Sequence, residues 1–302
     1  MYDIIIIGGG AAGMTAALYS LRSGKTVLLL EKESIGGQIS QSPRVENFPS
    51  IKEIAGSEFS EKLFDQILDL GAQFELEKVV NVEKNNNIFT VTTDYNTYEA
   101  KAVILATGVK HRHIGVDNED ELVGKGLSYC AVCDGAFYAG EDVALVGDAN
   151  TALQYALLLS NYCHKVYLCT LFDRFFGDMA LVKKVLERTN IEVIHNISLK
   201  EFKYDENLTG LVFENTIDKN KLELNVKGCF IAIGQIPENN AFKNIVDLDK
   251  DGYFTCNENL ETKTPGVFVA GDCRTKKIRQ LTTAVADGAI ASVGAVAYID
   301  KL

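Results

Sequence analysis

The feature that most constrains this chain lies at its start. Asp3 to Gly8 carries four consecutive isoleucines, Ile4 to Ile7, and ends on glycine. A continuous β-branched run reads as a strand buried on both faces, as in parallel sheets covered on either side. The turn Gly8-Gly9-Gly10-Ala11-Ala12-Gly13 follows, then a helical stretch from Met14 to Ser23 stopped by Gly24, then a second strand, Thr26 to Leu30, ending in Glu31. Gly8-x-Gly10-x-x-Gly13 between strand and helix is the dinucleotide fingerprint in its structural setting. Gly8 permits the tight turn, Gly10 lets backbone approach a pyrophosphate, and Gly13 lets helix and strand pack closely. Ala11 and Ala12 complete that turn, and the helix N-terminus offers free amides to phosphate. Glu31, 23 residues after Gly8, is placed to accept hydrogen bonds from a ribose. A glycine-rich turn alone would mean little; strand, glycines, helix, strand and acid together point to a nucleotide site.

Two further strands end in tight turns. One is Ile104-Leu105 running into Ala106-Thr107-Gly108; the other is Val267-Phe268-Val269-Ala270 running into Gly271-Asp272. This set resembles the flavoprotein disulfide reductases with two dinucleotide sites. The resemblance implies FAD at the first site, with Gly271 and Asp272 on the ribityl chain. It implies further FAD contacts at Gly37 and Gln38, at Asn47 in Glu46-Asn47-Phe48-Pro49, at Ala106, Thr107 and Gly108, and at Arg279, Gln280 and Leu281.

The stretch Ser128-Tyr129-Cys130-Ala131-Val132-Cys133-Asp134-Gly135 holds a Cys-x-x-Cys pair followed by an acid. Two intervening residues allow a disulfide across one turn; they also suit a metal knuckle. A structural zinc site usually needs four ligands, and the chain has no second Cys-x-x-Cys and no ligand spacing among His111, His113, His164 and His195. Reducing a disulfide takes two electrons and two protons, and Asp134 beside the pair is placed to handle a proton. Cys-Ala-x-Cys-Asp-Gly resembles the signature of the low-molecular-weight thioredoxin reductases, and the resemblance runs from Asp3 to the C-terminus. It implies that Cys133 is the thiol next to the flavin, that Cys130 exchanges with thioredoxin or a similar dithiol protein, that Asp134 is the acid–base group, and that the protein is a homodimer.

A second strand–turn–helix–strand frame spans Asp142–Gly147, Ala152–Ser160 and Lys165–Cys169, where that family holds NADPH. Its turn reads Gly147-Asp148-Ala149-Asn150-Thr151-Ala152. The methyl group of Ala149 sits where backbone should touch the pyrophosphate. Asp148 adds a negative charge at a helix end that favours anions. Counting as from Gly8 to Glu31, Gly147 leads to Thr170, and the positions of the family's phosphate-clamping arginines are Leu171 and Phe172, with Phe176 in place of a further basic residue. Each lost charged hydrogen bond is worth about 1.5–3 kcal/mol. The pattern resembles the ferredoxin-dependent flavin thioredoxin reductases, which use no pyridine nucleotide. A ferredoxin near −400 mV against thioredoxin near −270 mV makes the two-electron transfer downhill by roughly 6 kcal/mol. Basic docking candidates for an acidic donor are Lys110-His111-Arg112-His113 and Arg274-Thr275-Lys276-Lys277-Ile278-Arg279. Three alternatives remain: an enzyme still using NAD(P)H through an atypical site, by way of Arg174 or a shifted register; a diflavin relative; and a non-catalytic flavin and thiol redox sensor.

The expected fold class is α/β, with two Rossmann-like domains, the second inserted in the first. Residues 1–112 and 243–302 would form the FAD domain and 113–242 the insert, both as parallel sheets with helical cover. The 302 residues suit two domains. The net charge of −11 argues against nucleic acid as a partner. No run of about 18 apolar residues suggests a membrane span, and the N-terminus lacks a signal-peptide pattern, so a cytoplasmic protein is expected. The five scattered cysteines, Cys163, Cys169, Cys229, Cys256 and Cys273, read as free thiols.

Overall fold

The computed structural model describes residues 1–42 and 45–302. The chain divides into two compact units, residues 1–110 with 236–302, and residues 111–235. The return crossing comes earlier than expected, because Phe242, Ile245 and Val246 pack with Phe254 in the core of the first unit.

In the first unit, β1 (Tyr2–Ile7), α1 (Ala11–Arg22), β2 (Val27–Glu31), α2 (Gly56–Asp69), β3 (Gln73–Leu76), β4 (Val79–Asn85), β5 (Ile88–Thr93) and β6 (Thr97–Leu105) follow in order. The sheet runs β3-β2-β1-β6-β5-β4, with the late strand Val267–Val269 also paired to β6. The four isoleucines of β1 alternate between two core layers. Ile4 and Ile6 pack with Met14, Phe268, Ala291 and Ala295, whereas Ile5 and Ile7 pack with Leu28, Phe89, Val103 and Phe254. Burying side chains of this size is worth roughly 1.5–3 kcal/mol each, and both faces are covered, so no polar residue interrupts the run.

α1 begins at Ala11, three residues before the expected Met14, with Gly10 as its N-cap. The alanines and Gly13 are therefore its first turn rather than part of the loop. Gly24, at φ 74°, ends it. The C-terminal helix Leu281–Ile299 buries Asp287, Gly288, Ala291, Ser292, Ala295 and Ile299. It lies against α1, where Ser20 and Ser292 share a buried hydrogen bond of 2.7 Å. By length and composition this helix could cross a membrane; here its buried face belongs to the first unit's core.

The second unit holds a five-stranded parallel sheet in the order 191–194, 165–169, 142–146, 228–231, 127–128. Helices Asn150–Leu159 and Met179–Leu186 cover one face. The other face is covered by a separate antiparallel sheet, Ile197–Tyr204, Leu208–Asn215 and Lys221–Leu224, through Leu199, Phe202, Leu211 and Phe213. In the first unit too, β4, β5 and β6 are antiparallel. Parallel sheets with purely helical cover are thus corrected to mixed architecture. Short strands with period-2 burial, such as the alternation along β5, hairpin back at turns like Asn86, at φ 56°, which favour antiparallel pairing.

Candidate functional site

β1, β6 and the strand Val267–Val269 are parallel neighbours. Their carboxyl ends therefore deliver three turns to one edge of the sheet, the usual binding edge of an open α/β sheet. These turns are Gly8 to Gly10, Ala106 to Gly108, and Ala270 to Asp272. Gly8 sits at φ 114°, and a Cβ there would come 2.2 Å from the carbonyl oxygen of Ala106. A Cβ on Gly13 would lie 1.9 Å from the carbonyl oxygen of Gly8. Both glycines are thus demanded by the protein's own backbone. Glu31 Oε2 accepts the Gly9 amide at 2.7 Å, while Oε1 accepts the amides of Lys32 and Glu33 at 2.8 and 2.9 Å.

The other expected contacts gather on the same unit. The Gly36 amide bonds the Gly9 carbonyl at 2.9 Å, and Gly37 lies over Gly10, its Cβ position 3.5 Å from the Gly10 Cα. Gln38 donates from Nε2 to the Val109 carbonyl. Asn47 Nδ2 donates to Gln280 Oε1 at 3.1 Å. Gln280 is the N-cap of the C-terminal helix, in a capping box with Thr283, and Leu281 is its first residue. Arg279 bonds the Asp272 carbonyl at 3.3 Å and lies 4.3 Å above the ring of Tyr253.

Two observations test whether a dinucleotide suits this edge. A Cβ on Gly10 would meet only the Gly36 carbonyl oxygen, at 3.8 Å, and the φ of Gly10 is −77°. Nothing in the protein demands glycine there, and its bare backbone leaves room for a pyrophosphate to approach. Asp272 Oδ1 is buried without a hydrogen-bond partner among the described residues, the nearest cation being Lys276 Nζ at 3.6 Å. Burial pushes this carboxyl above its ordinary range, against the pull of Lys276 and Arg279. An orphaned buried acceptor calls for a donor, and hydroxyl groups of a ribityl chain would supply one. The residues present fit FAD.

Cys130, Cys133 and Asp134 lie in the second unit. Strand Leu127–Ser128 hands over to Cys130, the N-cap of a single turn, Ala131–Asp134. Cys130 and Cys133 form a disulfide with a Cα separation of 5.3 Å. Cys130 Sγ accepts the Cys133 amide at 3.1 Å, a donor that suits a negative sulfur once the bond opens. A Cβ on Gly135 would lie 2.6 Å from the Tyr162 hydroxyl, so glycine after Asp134 lets the turn pack close. Asp134 Oδ2 accepts the Ser128 hydroxyl at 2.6 Å, whereas Oδ1 is buried and unpartnered among the described residues. Burial raises the Asp134 carboxyl above its ordinary range, and the Ser128 hydrogen bond pulls the other way. A carboxyl held closer to neutrality is suited to acid–base work.

The second frame keeps the architecture of the first. Gly147, at φ 154°, would put a Cβ 2.5 Å from the carbonyl oxygen of Ala232, as Gly8 does with Ala106. Ala149 is the N-cap of helix Asn150–Leu159, the place Gly10 holds on α1. Burial raises the Asp148 carboxyl, whose backbone carbonyl takes the Phe176 amide at 2.8 Å. Thr170, where the first frame has its ribose acid, is fully buried. Its hydroxyl is held 2.7 Å from the Phe172 carbonyl and 2.7 Å from His195 Nδ1. Leu171, Phe172 and Phe176 are 48%, 48% and 52% exposed, with Phe172 and Phe176 edge to face at 5.3 Å. Arg174 lies 5.1 Å over the Phe176 ring.

The expected basic docking runs are largely spent within the protein. Arg274 and Lys276 turn inward to Asp287, at 2.7 and 2.9 Å, and Arg279 stacks on Tyr253. Lys110 pairs with Glu33 at 2.8 Å. His111 stacks on Tyr129 at 4.7 Å, and burial, reinforced by His113, pushes its imidazole down to about 4. Arg112 and Lys277 remain exposed.

Three supporting residues escaped the sequence reading. Asn239 accepts from Thr107 at 2.8 Å and donates to the carbonyls of Gly252 and Cys273 at 3.0 and 2.9 Å. Asp287 accepts the Gly271 amide at 3.0 Å. Ser128 holds Asp134. Only Asp287 left a signal: it is the one charge in the apolar helix Leu281–Ile299.

Fold and site together define a flavin-dependent disulfide oxidoreductase. The profile of the pyridine nucleotide-disulphide oxidoreductase family matches residues 2–288. The chain is 36% identical to the thioredoxin reductase of Listeria monocytogenes over 303 residues, spanning 100% of this chain and 95% of that protein. It is 36% identical over 300 residues to a 34.2 kDa protein in the rubredoxin operon of Clostridium pasteurianum, spanning 98% of this chain and 97% of that one. The crystal structure of thioredoxin reductase from Streptococcus pyogenes superposes with a TM-score of 0.96 at 34% identity, covering 100% of this chain and 99% of that one. The chain belongs to the pyridine nucleotide-disulphide oxidoreductase family, among the homologues of low-molecular-weight thioredoxin reductase, and its cofactor is FAD.

Proposed function

We propose that this protein is a thioredoxin reductase that draws its electrons from reduced ferredoxin rather than from NADPH. The observation that carries the donor assignment is the second frame: a methyl-bearing N-cap, Ala149, with apolar, solvent-facing Leu171, Phe172 and Phe176 where a nucleotide phosphate needs cations. The dinucleotide edge of the first unit would hold FAD through Gly8, Gly10, Ala11, Ala12, Gly13, Glu31, Gly37, Gln38, Asn47, Ala106, Thr107, Gly108, Gly271, Asp272, Arg279, Gln280 and Leu281. Bound FAD supplies electrons singly or in pairs, which matches a one-electron donor to a two-electron disulfide. Opening the Cys130–Cys133 bond takes two electrons and two protons and leaves two thiols. Asp134 carries one of those protons. The dithiol then exchanges with the disulfide of thioredoxin, whose bond breaks as Cys130–Cys133 re-forms. A second copy of the chain would cover the exposed Ile290 and Val293 of the C-terminal helix, as in a homodimer.

One specific observation favours a second reading, direct use of NAD(P)H. The frame's strand, Gly147 turn and helix are intact. Anaerobic absorbance decides between them. With NADPH, NADH or reduced ferredoxin added in turn, only ferredoxin should bleach the bound flavin, and oxidised thioredoxin should then restore the colour. Bleaching by NADPH at turnover speed would establish the second reading.

A further inference from the structure

We propose that Ser128 is a positioning residue that fixes which oxygen of Asp134 carries the proton; this rests on the acid–base reading of Asp134. Ser128 is buried, and its strand is paired to the strand Gly228–Ile231 through Phe230. Its hydroxyl therefore has a rigid base. The oxygen accepts the Cys130 amide at 3.0 Å, and its single hydrogen has two candidate acceptors. Asp134 Oδ2 is at 2.6 Å, and the Cys130 carbonyl oxygen is at 3.4 Å. The short, charge-assisted contact takes the hydrogen. Oδ2 is then committed as an acceptor. Oδ1, buried and without a partner among the described residues, is the oxygen left to bind a proton.

The arrangement links the carboxyl to the thiol turn, because one hydroxyl is bonded to Asp134 on one side and to the Cys130 backbone on the other. In the reaction, the proton on Oδ1 passes to a cysteine sulfur, leaving a thiol and a carboxylate, and water returns the proton later. Ser128 keeps its own hydrogen throughout. Besides the two thiols that the opened disulfide provides, the titratable groups that feel the charge of Asp134 are Tyr138, in the turn Gly135–Tyr138, and Tyr155, on helix Asn150–Leu159. Burial raises both phenols, and the charge of Asp134 raises them further, Tyr138 to about 12. Both are neutral where Asp134 titrates, so they add no charge of their own to its titration.

The test uses the FAD-loaded full chain, reduced with dithionite and mixed with 5,5′-dithiobis(2-nitrobenzoate) across a pH series. The wild-type rate should show a limb that Asp134→Asn abolishes. Ser128→Ala removes a donor to the carboxylate and should shift that limb upward by about one pH unit, with the flavin spectrum unchanged. In the Asp134→Asn background, where that limb is gone, Ser128→Ala should leave the shape of the pH profile unchanged, as a coupled pair requires. A Ser128→Ala variant that is slower by the same factor at every pH, or equally affected in both backgrounds, overturns the proposal and makes Ser128 a packing residue. A limb that survives Asp134→Asn overturns the acid–base reading itself, and Ser128's role with it.

Discussion

Asp287 grips Arg274 with both carboxylate oxygens, Oδ1 at 2.7 Å from Nη2 and Oδ2 at 2.8 Å from Nε. Oδ2 also takes Lys276 Nζ at 2.9 Å and the Gly271 amide at 3.0 Å. The C-terminal helix thereby holds the loop that carries Asp272. Asp287→Asn keeps the shape but leaves two cations facing a neutral group. Breaking a buried charge pair costs about 3–5 kcal/mol, so the urea midpoint should fall, and FAD should be released at a lower temperature than from the wild type.

The same carboxylate sets an acid limit on stability. Burial raises the Asp287 pKa, but the hydrogen bonds from Arg274 and Lys276 outweigh it and leave it below the ordinary range. Asp3 is also held low, at about 2, where Lys101 and Thr26 outweigh burial. A depressed carboxyl stabilises the fold above its unfolded value and loses that contribution as pH falls through its folded value. Urea midpoints should therefore begin to fall below about pH 6.5, where His111 takes up a proton more readily in the unfolded chain than in the folded one, and drop further between about pH 4 and 2 as Asp287 and Asp3 protonate. Asp287→Asn should flatten part of that drop.

Gly8 and Gly10 stand two residues apart, yet their replacement by alanine should fail in different ways. At Gly8 the new methyl would meet the Ala106 carbonyl oxygen at 2.2 Å in a left-handed backbone, and the fold itself should suffer. At Gly10 it would meet only the Gly36 carbonyl oxygen, at an ordinary 3.8 Å. Gly10→Ala should give a protein that melts like flavin-stripped wild type but purifies without yellow colour. A Gly10→Ala protein that keeps its flavin would mean that the pyrophosphate lies elsewhere.

The contrast between these glycines also shows how much was legible beforehand. The strand, turn, helix and acid from Ile4 to Glu31 are local, each a few residues from the next, so pattern alone places them. So is the Cys130–Cys133 turn. What holds these pieces in place is not local. Thr107 reaches Asn239 across 132 positions, and Gly271 reaches Asp287 across 16. Ser128 is only six residues from Asp134, but a serine before a cysteine carries no signal until the turn folds it back. The same limit hid the fate of the basic runs: Arg274 and Lys276 read as surface charge and are instead the partners of a buried acid. The sheet Ile197–Leu224 escaped the pattern because register shifts at Leu199/Glu201 and Lys203/Tyr204 break the alternation of its first strand, and its middle strand is buried continuously from Gly210 to Phe213.

The second frame offers a gain-of-function test. Leu171 and Phe172 are half exposed, so arginines there should leave the fold intact. Ala149→Gly should remove the methyl from the N-cap. Two restored charged contacts, at about 1.5–3 kcal/mol each, correspond to an affinity gain of roughly 100- to 10,000-fold for NADPH. The triple variant should show NADPH-driven flavin bleaching that the wild type lacks. If the wild type bleaches equally fast, the second frame is already a working nucleotide site.

Asp272 yields the prediction with the most distinctive sign. Its Oδ1 is buried without a hydrogen bond among the described residues, with Lys276 Nζ at 3.6 Å, and burial raises the carboxyl. An unsatisfied buried acceptor costs about 1–3 kcal/mol, which the flavin-free protein must bear and the flavin-bound protein need not. Asp272→Ala should therefore leave the flavin-stripped protein as stable as wild type or more so, and at the same time weaken FAD retention. Paired melts of stripped and loaded protein measure both quantities. If the stripped variant melts well below stripped wild type, Asp272 serves the loop rather than the flavin, and Lys276 at 3.6 Å is its true partner.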